Sequence, residues 1–174
     1  MRESEFGVWY EALWPQVFRT VAISVGDRGL AEEAVAEAFA KALARWPRPA
    51  QADNPPAWLH RVAVNEVRSR WRRARLERRM VRRLAGRADA SAAVLPTARD
   101  DALWAAVAQL PERMRQMVAL RYVLDLPEAE VARQLGVSRG TVASTLSTAR
   151  GRLATALAET HHPAASVAAR EEAR

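Results

Sequence analysis

No cysteine occurs among the 174 residues, so a disulfide framework, a thiolate metal site and a thiol switch are all excluded. Lysine appears once, at Lys41, which leaves the basic character of the chain to arginine. Long apolar runs are also missing. Nothing approaches the roughly 20 residues that cross a bilayer, and the opening MRESEFGVWYEALW lacks the apolar core of a signal peptide. A cytoplasmic location is therefore expected. There is no phosphate-binding glycine loop, no cluster of metal ligands and no nucleophile beside a base, so neither catalysis nor a cofactor nor a metal is expected. His60 is read as a surface residue flanking a basic helix, and His161 with His162 is too little for a metal site.

What is present is arginine in one place. Ten arginines fall in the twenty residues from Arg68 to Arg87, opposed only by Glu77, in a chain whose net charge is +7. A localised basic strip neutralises phosphates and releases counterions, which gives salt-dependent affinity without sequence choice. A solvated helix face or a basic arm has the same composition. The hydrophobic content of 49% is rich in alanine, which suits closely packed helices. The expected fold is all-α, with two small helical domains at 1–85 and 100–158 joined by a flexible linker at 86–99, and a disordered tail at 159–174.

Phe6, Tyr10, Leu13, Val17 and Val21 follow helical spacing, with Trp9 and Trp14 broadening the stripe and Pro15 a candidate kink. After a break at Gly26 to Gly29, a second helix from about Leu30 to Trp46 buries Val35, Ala38, Phe39 and Ala42, while Glu32, Glu33, Glu37 and Lys41 project elsewhere. Four prolines between Pro47 and Pro56 point to an extended loop, and Asn54 before Pro55 suits an N-cap for a third helix. That helix buries Leu59, Val62, Ala63 and Val67 and sets Arg61, Arg68, Arg72, Arg75 and Arg79 along another face. Trp58 and Trp71 on it are either core or stacking surfaces for an unpaired base. In the second block, Leu103, Val107 and Leu110 precede Pro111, and Met114, Met117, Val118 and Tyr122 follow it.

The segment EAEVARQLGVSRGTVASTLSTARGRL reads as a helix-turn-helix. Val131, Ala132 and Leu135 form a short helix, Gly136 permits the turn, and Ser138 caps a second helix that buries Val142, Leu146, Ala149 and Leu153. Its opposite face carries Gly140, Thr141, Ser144, Ser147, Thr148 and Gly151, small enough to approach base edges. Arg139 and Arg150 on one flank and Arg152 on the other can reach phosphates. A tight helical hairpin used for packing or dimerisation has the same pattern.

In order, GDRGLAEEAVAEAFAKALARW, NPPAWLHRVAVNEVRSRWRR and LPERMRQMVALRYVLDLPEAEVARQLGVSRGTVASTLSTARGRL resemble the extracytoplasmic-function class of bacterial RNA polymerase sigma factors, over about residues 5 to 157. The resemblance implies a promoter-specificity subunit with a region 2-like and a region 4-like domain. It implies that Glu33, Glu37, Phe39 and Lys41 dock on the clamp helices of the largest subunit of core RNA polymerase, and that the flap of the second-largest subunit is a further contact. Asn54, Trp58, Arg61, Asn65, Arg68 and Arg72 correspond to the part that opens and reads the −10 element of promoter DNA. Ser138, Arg139, Thr141, Ser144, Thr145 and Arg150 correspond to the reader of the −35 element. An anti-sigma factor is a common partner in that class. Ala36 stands where a glutamine is common, and Ala143, Thr145 and Thr148 stand where basic residues are frequent. Two other readings of the residues remain: a free-standing helix-turn-helix regulator, and an arginine-rich adaptor for RNA or anionic membrane.

Overall fold

The structure, a computed structural model, describes residues 2–84 and 101–161, with side chains described for 4–77 and 102–158. The expected linker, the side chains from Arg78 to Arg87, and the tail from His162 onward lie outside the described residues. Within them the chain is all-α: α1 (Arg2–Val25), α2 (Arg28–Ala44), a 3-10 turn (Arg48–Gln51), α3 (Pro55–Leu84), α4 (Asp101–Ala108), α5 (Glu112–Tyr122), α6 (Glu128–Leu135) and α7 (Arg139–His161).

The first three helices pack around Val17, Val21, Val35, Phe39, Leu59 and Val67. Ala31, Ala34, Ala38, Ala42 and Ala63, all fully buried, let the helix axes approach closely. The apolar stripe of α1 is buried as its spacing predicts, and α1 runs unbroken through Pro15. α2 begins earlier than its apolar pattern suggests because Asp27 caps it, accepting a hydrogen bond from the Leu30 amide at 2.9 Å. The proline-rich segment is not an extended loop. Proline's fixed φ also suits a 3-10 turn, and Pro49 is buried inside one. Asn54 then caps α3 through its Oδ1, which accepts from the Ala57 amide at 3.0 Å.

The second group surrounds Leu110, Met117, Leu120, Leu126, Val131, Val142 and Leu146. Gly136 closes α6 at φ 65°, in the left-handed region, and Ser138 Oγ accepts from the Thr141 amide at 3.1 Å to start α7. Two residues of the expected apolar stripe face outward: Leu103 and Tyr122 are both about half exposed. Tyr122 ends α5, where its hydroxyl accepts from Arg150 at 3.3 Å.

The two groups are packed against each other. Ala57 of α3 belongs to the second core, and Trp104 of α4 packs against the first. α5 lies along α1, where Arg115 donates to the carbonyls of Ser24 (3.4 Å) and Val25 (3.0 Å), the terminal ones of α1, and to those of Ala108 (3.1 Å) and Leu110 (2.7 Å). One guanidinium thus satisfies carbonyls at the ends of two helices. Gly26 permits this approach: its φ is 79°, and a Cβ there would sit 3.1 Å from Arg115 Cζ. Gly26→Ala is accordingly expected to destabilise the chain by roughly 1–3 kcal/mol, read as a lower urea midpoint with an unchanged m-value.

Candidate nucleic-acid interface

α3 presents two charged faces with different fates. On one, Glu66 gathers cations: it pairs with Lys41 at 2.8 Å, Arg73 at 3.4 Å and Arg70 at 3.6 Å. Arg70 also reaches Glu33, and Lys41 also reaches Glu37 at 3.3 Å. The lysine and Glu66 stabilise each other's charged forms, so the hydrogen bond to Glu66 raises the Lys41 pKa and the bond to Lys41 lowers that of Glu66. This network joins α2 to α3 and uses up Arg70 and Arg73.

On the other face, Arg61, Arg72 and Arg75 are exposed and have no carboxylate partner among the described residues. Asn65 is exposed between Arg61 and Arg68. Beyond them Trp71, 38% exposed and outside both cores, lines a shallow concavity of about 300 Å³ with Arg68, Arg72 and Arg75. Trp58 differs: it is half-buried against the first core, yet it also lines a cleft of about 430 Å³ with Asn54, Arg61 and, from α6, Arg133 and Gln134. A basic strip with exposed amide and indole groups can hold a phosphate backbone and stack bases.

Three sequence-based expectations need correction here. Phe39 is 2% exposed, enclosed by Trp9 at 5.4 Å, Tyr10 at 4.8 Å and Trp14 at 5.6 Å. Its ring is core and cannot meet a docking partner, whereas Glu33, Glu37 and Lys41 lie at the surface. His60 is not a surface residue either. It is buried, with Nε2 2.8 Å from Ser24 Oγ and Nδ1 3.2 Å from Gln134 Nε2. Arg68 is not an available cation in this conformation: its guanidinium donates to Glu112 Oε1 at 3.1 and 3.2 Å and to Gln116 Oε1 at 3.1 Å.

Gln134 also donates to the Ala57 carbonyl at 3.1 Å, so its amide supplies one hydrogen there and the other to His60 Nδ1. The ring is then neutral, with its proton on Nε2 facing Ser24. Burial, and secondarily the charge of Arg68, holds the His60 pKa down at about 3. The unfolded chain binds this proton near pH 6.5 and the folded chain does not, so stability falls as pH drops below 6.5 toward the folded value. The loss approaches about 1.4 kcal/mol per pH unit. His60→Gln is expected to flatten that part of a stability-versus-pH curve measured by urea unfolding.

In the helix-turn-helix, Arg139, Thr141, Ser144, Ser147 and Thr148 are exposed on one side of α7 while Val142, Leu146 and Ala149 are buried on the other. Several candidate readers have local duties. Ser138 caps α7 and bonds Thr141 Oγ1 at 2.8 Å, and Arg139 lies 3.6 Å from Glu128. Thr145 is half-buried. Among the described residues there is no metal-ligand cluster and no helix long and apolar enough to cross a membrane.

A helical protein with a basic, partly aromatic strip and a helix-turn-helix is a DNA-binding protein in form. The family profile for sigma-70 region 2 matches residues 9–77, and that for sigma-70, region 4 matches 100–153. The chain belongs to the sigma-70 family, as a sigma factor of the extracytoplasmic-function type that directs RNA polymerase to promoters in transcription initiation. Among solved structures it resembles the sigma factor RpoE in its complex with the anti-sigma factor NepR from Bartonella quintana. That match has 24% identity and a TM-score of 0.70, and covers 88% of this chain and 96% of the other. A further structure, an RsbN–BldN complex, is 26% identical with a TM-score of 0.33, covering 86% and 89%. A search of curated proteins found no match.

Proposed function

We propose that the two blocks divide promoter recognition. α3 and the loop before it, through Asn54, Trp58, Arg61, Asn65 and Arg72, and through Arg68 where it exchanges Glu112 for a phosphate, open and read the −10 element. α7 reads the −35 element through Arg139, Thr141, Ser144, Thr145 and Arg150, with Ser138 holding the start of that helix. The observation that carries this reading is the sorting of α3: Arg70 and Arg73 are tied to Glu66, while Arg61, Arg72 and Arg75 stand exposed beside Asn65 and Trp71. Trp71 joins the strip as a stacking surface for an unpaired base, since its ring has no role in either core.

Core polymerase docks on the outer face of α2 around Glu33, Glu37 and Lys41, at its clamp helices, and the second block meets the flap. The polymerase performs all catalysis, and the protein acts in the cytoplasm. An anti-sigma factor is a natural regulator, as in the NepR complex of the related fold. Holding both readers on one enzyme raises their effective concentration at paired elements, so neither needs to bind tightly alone.

The test is in vitro transcription with core polymerase on a genomic DNA library, reading start sites. New start sites should appear only when the protein is added; an unchanged set would defeat the proposal. Asn65→Ala should broaden or weaken −10 selection by roughly five- to 150-fold, in line with about 1–3 kcal/mol for a base-edge contact. Equal loss on every −10 variant would show that Asn65 does not read sequence.

A further inference from the structure

We propose that Tyr122 and Arg150 together form a clamp for one phosphate of the DNA backbone beside the −35 element, so that a residue of α5 helps to seat the reading helix α7. The proposal rests on the assignment of α7 to that element. The seam between the two helical groups takes up Arg68, but the reading side of α7 stays exposed. Along α7, Arg139 and Arg150 are eleven residues apart, which places them about 16 Å from each other along the axis and within roughly 20° of one line. The major groove is about 12 Å wide. With the first turns of α7 in the groove, as a recognition helix enters it, Arg150 emerges about three turns later at the phosphate wall.

Tyr122 stands at that wall. Its place in the period of Met114, Met117 and Val118 would bury it, yet the ring is half exposed and belongs to neither core. What surrounds it is charge. Arg121 lies 5.8 Å over the ring and pairs with Asp125 at 2.9 Å. Arg150, 3.3 Å from the hydroxyl, is exposed and has no carboxylate partner among the described residues. Two cations and one carboxylate leave the spot one anion short. Because Arg150 donates to the phenol oxygen, the phenol's own proton is free for another acceptor. That O–H and the remaining N–H groups of Arg150 are adjacent donors, one neutral and one charged, and the oxygens of a phosphate can accept from both. The backbone behind Tyr122 is also fixed: the amides of Val123 and Leu124 donate to the Ala119 carbonyl at 3.0 and 3.3 Å, and that of Leu126 donates to Leu120 at 3.1 Å. The hydroxyl is therefore in place before DNA arrives, which lowers the ordering cost of the contact.

Binding is read with holoenzyme, assembled from core polymerase and the full-length protein, on a mapped promoter and on versions with single −35 substitutions. Tyr122→Phe keeps the ring and its contact with Arg121 and removes only the hydroxyl. It should weaken binding roughly three- to tenfold on every version, because a phosphate contact carries no sequence choice, and should leave both the order of −35 preference and the urea midpoint unmoved. Arg150→Gln should weaken binding by on the order of tenfold or more and lower the salt slope by about one. The two losses should not add, since both variants lose the same phosphate. Neutral methylphosphonates placed one at a time around the −35 element should identify one backbone position where the unaltered protein loses affinity and neither variant loses more. Tyr122→Phe with undiminished affinity, a loss that varies with the −35 sequence, or a loss that survives every methylphosphonate would overturn the clamp while leaving −35 reading standing. Thr141→Val and Ser144→Ala probe the reading beneath it: they should shift −35 preference, and if neither does, α7 does not read that element.

Discussion

Reversing charge at Arg61 and Arg72 together, as Arg61→Glu with Arg72→Glu, is expected to reduce promoter-dependent transcription by on the order of 100-fold, since charged hydrogen bonds each contribute about 1.5–3 kcal/mol. Both side chains are exposed and neither is engaged by a carboxylate, so the fold should be untouched. The diagnostic readout is ionic strength. If the two arginines meet phosphates, the slope of log affinity against log salt for holoenzyme on promoter DNA should shrink by about two. Arg70→Glu with Arg73→Glu provides the contrast: these residues already serve Glu66, so the same reversal should lower the stability of the α2–α3 contact and leave the salt slope nearly unchanged. An identical salt response from both pairs would mean that the sorting of the two faces has no bearing on DNA.

Phe39→Ala is expected to cost roughly 3–5 kcal/mol of stability, the range for truncating a buried aromatic side chain. Whole domains have about 5–15 kcal/mol in total, so this single change brings the first block close to unfolding. Phe39 is enclosed by three aromatic rings and the buried face of α2, which leaves a cavity no neighbour can readily fill. Glu37→Ala, on the outer side of the same helix, should change stability by less than about 0.5 kcal/mol. A urea series separates the two, and pull-down on core polymerase then assigns any binding loss. If Phe39→Ala weakened polymerase binding with its unfolding midpoint unchanged, the ring would have to be a surface contact after all.

Phe39 also shows which kind of sequence reasoning succeeds. Its helical period with Val35, Ala38 and Ala42 places it in the core, and the structure agrees; the family-derived docking role placed it outside. Period signals work because a helix must bury one face whatever it binds. The helix-turn-helix was legible for the same reason, down to Gly136 and Ser138, because the turn and the cap depend only on near neighbours. The seam was not legible. Arg68 and Glu112, or His60 and Gln134, are far apart in sequence and on different elements, and nothing local distinguishes a surface arginine from one that meets a distant carboxylate. His60 was misread because its burial comes from α6 laid across it as well as from its own helix. The role of Glu66 escaped notice because a single acid in a basic run looks like dilution of charge until its three cations are seen around it.

Ala57 and Trp104 give the molecule a different kind of boundary from the one its family regions draw. Each residue lies within the chain segment of one region and packs with the other. A chimera that exchanges the second region for a relative's would inherit a foreign residue in the slot that Trp104 fills, and would present Ala57 to a core it was not shaped for. Recombination between such factors is thus constrained at two positions of the internal seam, and swaps carrying matched residues at 57 and 104 should be the ones that express as folded protein.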